Sequence, residues 1–360
     1  MTEYSLEGPV WSSDTLTWSF ADPSLDSAIF SGAIGAAYQG IVESAIARWE
    51  SVSNITLVQV PDSSSADIRI GWGLLGSPGG EIGQTDYTYS MGSTETFLPG
   101  TTIELEDPSV LALSPTVGAD YAGTDTNLYQ VALHEIGHAL GLAHSTDVNA
   151  VMYPIVGPTN PDLDSSDMAG IQALYGTPPF SMNDSNSGVS TNPQGSVYSG
   201  PVSYLQYQFI YTGSDSVAIA ANVPNAFIHS GSGNDALQVS SGNNVLDGGQ
   251  GSNFLVGGTG DDTFFLDARG GGTTWGTIVN FHPGDAVTIW GFDPAVSTDY
   301  WDGISGAAGY TGPTLRAELD GHDISTSLTF ANMSAANQAN LVLQTGSIGG
   351  TPYLYITEPA

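Results

Sequence analysis

His134-Glu135-Ile136-Gly137-His138-Ala139-Leu140-Gly141-Leu142-Ala143-His144 reads H-E-x-x-H-x-x-G-x-x-H and decides the fold of the N-terminal half of the chain. On a helix, His134 and His138 lie on one face and can bind a single metal ion. Gly141 can adopt a positive φ that ends the helix, and the returning chain then supplies His144 as a third nitrogen ligand. Three protein ligands leave the fourth position of Zn²⁺ to water, and Glu135 stands beside the first ligand as a candidate general base.

The alternative interpretation of this stretch is a buried helix whose histidines only form hydrogen bonds. Typical residue frequencies give a chance match to the fixed positions on the order of 10⁻⁵ for the whole chain. The flanking residues also favour a metal site, because apolar side chains at helical spacing let the segment pack into a core while it presents the histidines. These side chains are Leu128, Val131, Ala132, Ile136, Ala139 and Leu140.

A methionine follows the motif in the stretch Val151-Met152-Tyr153-Pro154. Here the chain resembles the metzincin metalloproteases, in which a tight turn with Met beneath the metal follows the zinc motif. The spacing and the Met-Tyr-Pro sequence are most similar to the matrixin branch, and residues 163–176 resemble the closing helix of a matrixin catalytic domain. The resemblance implies a zinc-dependent protease with Met152 in its Met-turn.

The chain departs from the matrixin pattern at four points. Pro154 occupies the position where some metzincins carry a tyrosine ligand, so we expect no tyrosine on the zinc. No histidine precedes His134, so we expect the second, structural zinc of matrixins to be absent. Ser166 stands where the first of two paired aspartates is usual. The chain has no cysteine, so we do not expect latency through a cysteine within it.

Upstream of the motif, the sequence predicts strands and one long helix. Leu16, Trp18 and Phe20 alternate as in a strand, and apolar spacing between Tyr38 and Trp49 predicts an amphipathic helix. Further strands are predicted at 55–60 and 67–72, with weaker ones at 82–89 and 101–106. The strand at 82–89 is expected at a sheet edge, where it either binds an extended substrate by β-augmentation or is an ordinary exposed strand.

A nine-residue repeat follows a segment rich in Ser, Asn, Pro and Gly at 177–200, which predicts a linker. From residue 230 the chain reads SGSGNDALQ, VSSGNNVLD, GGQGSNFLV and GGTGDDTFF. Every copy has Gly at the fourth position, Asp or Asn at the sixth and a large apolar residue at the eighth. Fainter copies precede them, with Ile219 and Ile228 at the apolar position. A disordered Gly/Asn-rich loop is the alternative, but the period holds at several positions in four copies.

This repeat resembles the G-G-x-G-x-D-x-U-x pattern of calcium-binding parallel β-rolls, the repeats-in-toxin family. The resemblance implies that glycines allow a tight loop, the sixth residue directs oxygen at Ca²⁺ and the eighth points into the core. If two repeats form one coil, metals lie between repeats two apart, pairing Asp235 with Asn253 and Asn244 with Asp262. Each pair holds one Asn where the family prefers Asp, so we expect weakened sites. The predicted calcium loops comprise Gly231, Gly233, Asp235, Asn244, Gly249, Gly251, Asn253, Gly258, Gly260 and Asp262.

Composition restricts the partners of the chain. Its 360 residues include four Arg, no Lys and 37 acidic residues, for a net charge of −33, so nucleic acid and anionic membranes are not expected as partners. The absence of cysteine excludes disulfides and thiol catalysis. We expect no membrane insertion and no N-terminal signal peptide. Proteins with such repeats are typically exported by type I secretion machinery, so the resemblance implies a secreted, extracellular protein whose roll folds on calcium.

These patterns predict an α+β fold, with an α/β metzincin catalytic domain of mixed sheet and zinc helix followed by an all-β parallel β-roll. The predicted domains are a matrixin-like protease at 1–178, a linker at 179–205, and a calcium-binding β-roll and C-terminal secretion domain at 206–360. The predicted function is a secreted, monomeric endopeptidase that cleaves proteins or peptides with one catalytic zinc and carries one or more calcium ions. The alternatives are a calcium-dependent extracellular surface or adhesion protein with a vestigial protease domain, and a metal-dependent hydrolase of a non-protein substrate.

Overall fold

Strands outnumber helices in the computed structural model, which describes residues 4–76, 80–115, 118–269, 272–319 and 324–359. The chain divides between Pro178 and Pro179 into two units, each with its own hydrophobic core. None of the helices in these described ranges has the length and apolar character needed to cross a membrane.

Among the residues that the structure describes, the first unit holds a central sheet, short strand pairs and three helices. Its strands are β1 Ser5–Leu6, β2 Thr15–Phe20, β3 Thr56–Gln59, β4 Ile68–Gly73, β5 Gly83–Asp86, β6 Tyr89–Ser90, β7 Thr96–Phe97, β8 Thr101–Glu106 and β9 Leu142–Ala143. Its helices are α1 Ala36–Glu50, α2 Leu128–Ala139 and α3 Ser165–Tyr175. The strands predicted at 55–60, 67–72 and 101–106 and the helix between Tyr38 and Trp49 are confirmed.

The central sheet of the first unit has the order β3-β2-β4-β8-β5. Four of its strands run parallel, whereas β5 pairs antiparallel with β8 at the end of the sheet. The prediction of an edge strand within 82–89 is therefore confirmed. Helix α2 contacts both β5 and β8, and it also packs on α1, where the indole Nε1 of Trp49 donates to the carbonyl of Leu133 at 2.9 Å. This packing brings the H-E-x-x-H helix beneath the edge strand.

In its described part, the second unit consists of two large sheets and one short helix. Its strands are β10 Phe180–Asp184, β11 Ser190–Thr191, β12 Ser196–Val197, β13 Tyr207–Ile210, β14 Val217–Ala221, β15 Ala226–His229, β16 Ala236–Gln238, β17 Val245–Gln250, β18 Asn253–Val256, β19 Thr263–Asp267, β20 Thr274–Val279, β21 Ala286–Trp290, β22 Thr298–Ser305, β23 Gly312–Leu319, β24 Ile324–Ala331, β25 Val342–Ile348 and β26 Thr351–Thr357. The helix is α4 Ala335–Gln338.

Successive strands of the repeat region alternate between the two sheets. Leu237 pairs with Leu255 in one sheet and Leu246 with Phe264 in the other, both in parallel register. Parallel partners are thus two repeats apart, as expected if two nonapeptides form one coil. The eighth-position residues of the four clear and two faint copies are all buried, which confirms the predicted core: Ile219, Ile228, Leu237, Leu246, Leu255 and Phe264.

The structure differs from the sequence prediction at 179–205, which is not a free linker. β10 pairs antiparallel with β14, and Phe180 at its start is buried in the core of the second unit. Phe180 and Met182 are the two large apolar residues of this strand, and two positions are too few to establish a period, so composition alone indicates a linker. The strand forms because the neighbouring strand offers backbone hydrogen-bond partners, which the sequence does not reveal.

Candidate metal centre and calcium loops

Helix α2 presents His134, Glu135 and His138 and ends where the motif requires. Asn127 caps its start, accepting from the backbone N–H of Gln130 while the Gln130 side chain accepts from the backbone of Asn127. At the other end Gly141 adopts φ +102°, a conformation that favours glycine, as the sequence predicts. The chain then returns through β9 to His144.

The three histidines converge on one point. Nε2 of His134 lies 3.1 Å from Nε2 of His138, and one ligand nitrogen from each of the three histidines lies within 4.8 Å of the others. Two nitrogen ligands of a tetrahedral zinc lie about 3.3 Å apart when each Zn–N bond is about 2.05 Å. The histidines therefore fit a zinc ion with three nitrogen ligands.

Backbone carbonyls fix the tautomers of the two helical histidines. Nδ1 of His134 faces the carbonyl of Val151 at 2.7 Å, and Nδ1 of His138 faces the carbonyl of Leu142 at 2.8 Å. Because a carbonyl oxygen can only accept, both Nδ1 atoms carry the proton and donate it. The Nε2 lone pairs are then left to bind a metal.

Burial and mutual repulsion set the charge of these histidines. Burial, together with the nearby His138 and His144, lowers the pKa of His134 to about 3. Burial and His138 also lower the pKa of His144. Burial alone would lower the pKa of His138. The nearby carboxylates of Glu7 and Glu135 outweigh this effect, so the pKa of His138 is raised. His134 is therefore neutral at pH 7, as a metal ligand must be.

Glu135 lies beneath the edge strand with its carboxylate held in place. The hydroxyl of Thr85 on β5 donates to Oε2 of Glu135 at 2.7 Å. Gly83 on the same strand makes room for it, since a Cβ there would collide with the Glu135 carboxylate. Burial raises the pKa of Glu135, which makes the carboxylate a stronger base. Thr85 and Gly83 were not identified from the sequence, because nothing in the spacing links β5 to the motif.

Met152 lies in a buried turn below the histidines. Its Sδ packs against Gly137, where a Cβ would overlap it, so the glycine inside the motif has a packing reason. The buried carboxylate of Asp167 on α3 accepts from the backbone N–H groups of Val151 at 2.7 Å and Met152 at 3.2 Å. Burial raises the pKa of Asp167 to about 6, so it is ionised at pH 7. Asp167 thus ties the closing helix to the turn that orients His134 through the Val151 carbonyl.

The sixth-position residues of the roll form two hydrogen-bonded ladders between coils. In one ladder Oδ1 of Asn253 accepts from the backbone N–H of Asp235 at 2.9 Å. In the other, Oδ1 of Asp262 accepts from the backbone N–H of Asn244 at 3.0 Å. The structure therefore brings together both pairs that the eighteen-residue coil predicts.

The two pairs differ in their remaining polar atoms. Oδ2 of Asp235 is buried and makes no hydrogen bond with the described residues. In the other pair, Nδ2 of Asn244 donates to Oδ1 of Asp262 at 2.8 Å and to the carbonyl of Gly242 at 2.8 Å, and Oδ2 of Asp262 accepts from Gly258 N at 2.8 Å. The first pair keeps one carboxylate oxygen without a donor, whereas the oxygens of Asp262 in the second pair accept from N–H groups.

The predicted loop glycines fall into two groups. Positive φ occurs at Gly231, Gly249, Gly251 and Gly260. Gly233 and Gly258 lack it, but a Cβ at either would collide with the backbone of the preceding coil. The glycines therefore serve both turn conformation and close stacking of coils.

Asp285 continues one ladder and was missed by the sequence analysis. Its Oδ1 accepts from the backbone N–H of Asp262 at 2.8 Å, the role that Asp262 plays for Asn244. It stands two residues before Val287, which pairs with Phe264. That Asp-x-apolar spacing was a usable signal, but the partner lies 23 residues away rather than 18, which hides it from a strict repeat search.

Comparison with known proteins agrees with this geometry. The matrixin family model matches residues 10–176, the stretch that holds the histidines, Glu135, Met152 and Asp167. Residues 10–176 form a matrixin domain. Matrixins are a branch of the metzincins and use zinc, in keeping with the three converging histidines in this stretch.

Several known proteins are similar to part of this chain. Matrix metalloproteinase-20 of Homo sapiens is 35% identical over 178 residues, covering 47% of this chain and 32% of the relative. The hatching enzyme of Paracentrotus lividus is 37% identical over 147 residues, covering 40% and 22%. Metalloendoproteinase 1-MMP of Arabidopsis thaliana is 29% identical over 204 residues, covering 54% and 51%. The chain thus spans between about a fifth and a half of the length of these relatives.

A second family model matches part of the second unit. The RTX calcium-binding nonapeptide repeat matches residues 229–264, the four copies identified in the sequence. RTX repeats bind calcium, so the chain combines a matrixin domain with calcium-binding repeats.

An open cleft of about 750 Å³ runs across the matrixin domain at the histidines. Edge strand β5 lines one side, and Pro154, Ile155 and Val156 after the Met-turn line another. Both Glu135 and the three histidines lie on its surface. The cleft therefore joins the edge of the sheet to the three histidines.

Proposed function

We propose that this chain is a secreted zinc-dependent endopeptidase. One observation carries the proposal: His134, His138 and His144 converge beside the Thr85-held carboxylate of Glu135 in a cleft bordered by a sheet edge. The three histidines are the zinc ligands, Glu135 is the general base, and Met152 forms the floor of the site. Protein or peptide chains are the substrates.

The proposed mechanism assigns the proton transfers to Glu135. His134, His138 and His144 would hold a zinc ion, which would supply Lewis-acid polarisation of the scissile carbonyl and a lowered pKa of the attacking water. Glu135 takes a proton from that water as the water attacks, and then delivers it to the leaving amine. Thr85 keeps the Glu135 carboxylate facing the cleft, and the raised pKa of Glu135 favours proton uptake.

The proposed substrate site uses the free edge of β5. In the described part of the chain β5 is the last strand of its sheet, so its outer backbone groups are open to pairing. An extended substrate adds there as another strand, and its side chains alternate between cleft and solvent. This arrangement places a backbone carbonyl of the substrate above the histidines without requiring a particular sequence.

Zinc removal tests the function directly. The full chain, refolded in calcium and zinc, is expected to cleave casein or gelatin at internal bonds. A zinc-selective chelator should abolish cleavage, and added zinc should restore it while calcium is held constant. A folded, zinc-loaded protein that cleaves neither substrate nor any member of a peptide library would contradict the proposal.

The proposed calcium site lies at the Asp235–Asn253 pair. The buried, unpartnered Oδ2 of Asp235 supports it, since a carboxylate oxygen without a donor is a ready ligand for Ca²⁺. The Asn244–Asp262 pair, whose oxygens already accept from amide hydrogens, is the weaker candidate.

The two pairs are expected to respond oppositely to substitution. Asp235→Asn should weaken calcium binding about tenfold or more, because it removes the charged ligand. Asn244→Asp should add binding capacity, because it replaces the closing amide by a second carboxylate. Titration calorimetry with Ca²⁺ measures both, with the exposed Asp299→Asn as the control. Unchanged binding in Asp235→Asn, or no gain in Asn244→Asp, would contradict the assignment.

We also propose export by type I secretion machinery, as a monomer that acts outside the cell. The calcium-binding repeats support export, because calcium is abundant outside cells and stabilises the roll there. The net charge of −33 supports neither nucleic acid nor an anionic membrane as a partner. Light scattering after size-exclusion chromatography in calcium tests the monomeric state.

A further inference from the structure

Glu7 contacts the side of His138 that faces away from the other histidines. Its Oε1 lies 3.3 Å from Nδ1 of His138, and the hydroxyl of Tyr87 donates to its Oε2 at 3.0 Å. Its backbone N–H donates to the carbonyl of Gly141 at 2.9 Å. The proposed mechanism does not use this carboxylate, and no sequence motif includes it.

The segment that carries Glu7 is anchored on both sides. Before Glu7, β1 pairs antiparallel with β9, the strand that leads to His144. After Glu7, the indole Nε1 of Trp11 donates to the carbonyl of Ala139 at the end of α2, 2.9 Å away. Both anchors lie on the turn that shapes the metal centre. The backbone of this segment is therefore held beside the metal centre, within reach of His138.

The two ring nitrogens of His138 face different neighbours, and this difference limits the role of Glu7. Nε2 faces Nε2 of His134 at 3.1 Å, whereas Nδ1 faces both the Leu142 carbonyl and Glu7. Glu7 thus lies outside the ligand set rather than in the fourth position of the metal. An Nδ1–H shared between a carbonyl and a carboxylate fixes the ring orientation and increases the electron density at Nε2.

We infer that Glu7 is a positioning residue that strengthens zinc binding through His138. The inference rests on the proposed zinc function of the three histidines. Groups that accept a hydrogen bond from the non-coordinating nitrogen of a histidine ligand typically contribute about 10- to 100-fold to metal affinity. Glu7→Ala is therefore expected to weaken zinc binding by about that factor. Glu7→Gln keeps an acceptor oxygen but loses the charge, and should fall between Glu7→Ala and the unchanged protein.

The test measures zinc affinity in the full chain rather than activity. Competition with a chromophoric chelator gives the zinc Kd of the unchanged protein, Glu7→Ala, Glu7→Gln and Tyr87→Phe. Glu43→Gln is the matched control, because it removes the same charge from an exposed position of α1. The visible absorption of the Co²⁺-loaded protein is a second readout, since reorienting His138 shifts the Co²⁺ bands whereas a merely structural role would not.

The outcomes separate this inference from the proposed function. Weaker zinc binding and shifted Co²⁺ bands in Glu7→Ala, with the control unchanged, support the positioning role. If Glu7→Ala does not fold, the nearly isosteric Glu7→Gln carries the test. Zinc affinity and Co²⁺ bands that match the unchanged protein overturn the role of Glu7, as does an equal loss in Glu43→Gln. Failure of the unchanged protein to bind zinc instead overturns the proposed function.

Discussion

Glu135→Gln is expected to lower kcat/KM for peptide hydrolysis by about 10²- to 10⁴-fold, the usual contribution of a general acid–base residue. Glutamine has the size of glutamate and can still accept the Thr85 hydrogen bond, so the cleft keeps its shape. It cannot take up a proton at neutral pH, so the attacking water is no longer activated. Zinc should remain bound, because the three histidine ligands are unchanged.

Measuring the Glu135 variant requires activity and metal content on the same sample. A quenched fluorescent peptide gives kcat/KM, and elemental analysis gives the zinc content. Glu43→Gln makes the same chemical change on the exposed face of α1 and should retain full activity. Full activity in a zinc-loaded Glu135→Gln protein would show that another group moves the proton. Loss of zinc together with activity would assign Glu135 a role in metal binding instead.

Gly251→Ala is expected to lower the free energy of unfolding of the roll by about 2–5 kcal/mol. Gly251 has φ +99°, where a Cβ costs about 1–2 kcal/mol. The Cβ would also overlap the carbonyl oxygen of Gly233 in the preceding coil, and overpacking of this kind costs about 1–3 kcal/mol. Because the overlapped atom belongs to the backbone, the strain can be relieved only by separating the coils.

The roll offers a matched control for Gly251. Gly309 also has a positive φ, of +87°, but open space surrounds its missing Cβ. Gly309→Ala should therefore cost only the backbone strain of about 1–2 kcal/mol. Scanning calorimetry at fixed calcium measures both variants, and the transition of the matrixin domain serves as an internal reference. Equal losses in the two variants would show that close stacking does not constrain position 251.

The arrangement of residues close together in the chain could be predicted, because helices and coils place residues at a fixed spacing on the same face. The spacing of His134, Glu135 and His138 specifies one face of a helix, and the glycine in Gly141 specifies its end. The nine-residue period likewise identified the eighth-position residues of the roll core. A single sequence contains this information because, in a helix or a coil, the spacing between residues determines the direction in which their side chains point.

Contacts between distant segments could not be predicted from the sequence. Thr85 meets Glu135, Asp167 meets the Met-turn, and Glu7 meets His138 because of sheet register and the path of the returning chain. The same holds for Phe180. The sequence predicts a linker there, but pairing with the adjacent strand β14 places Phe180 in the core. No periodic pattern encodes such pairings.

The sequence by itself determined the proposed metal ligands, the proposed general base, the repeat and its core. The tertiary structure decided which groups support that site, and which of the two candidate calcium pairs keeps a carboxylate oxygen without a donor. The physical reason is that metal ligation and repeat packing depend on local backbone geometry, which residue spacing records. Hydrogen bonds between elements depend on how those elements pack, and many residue types can satisfy them.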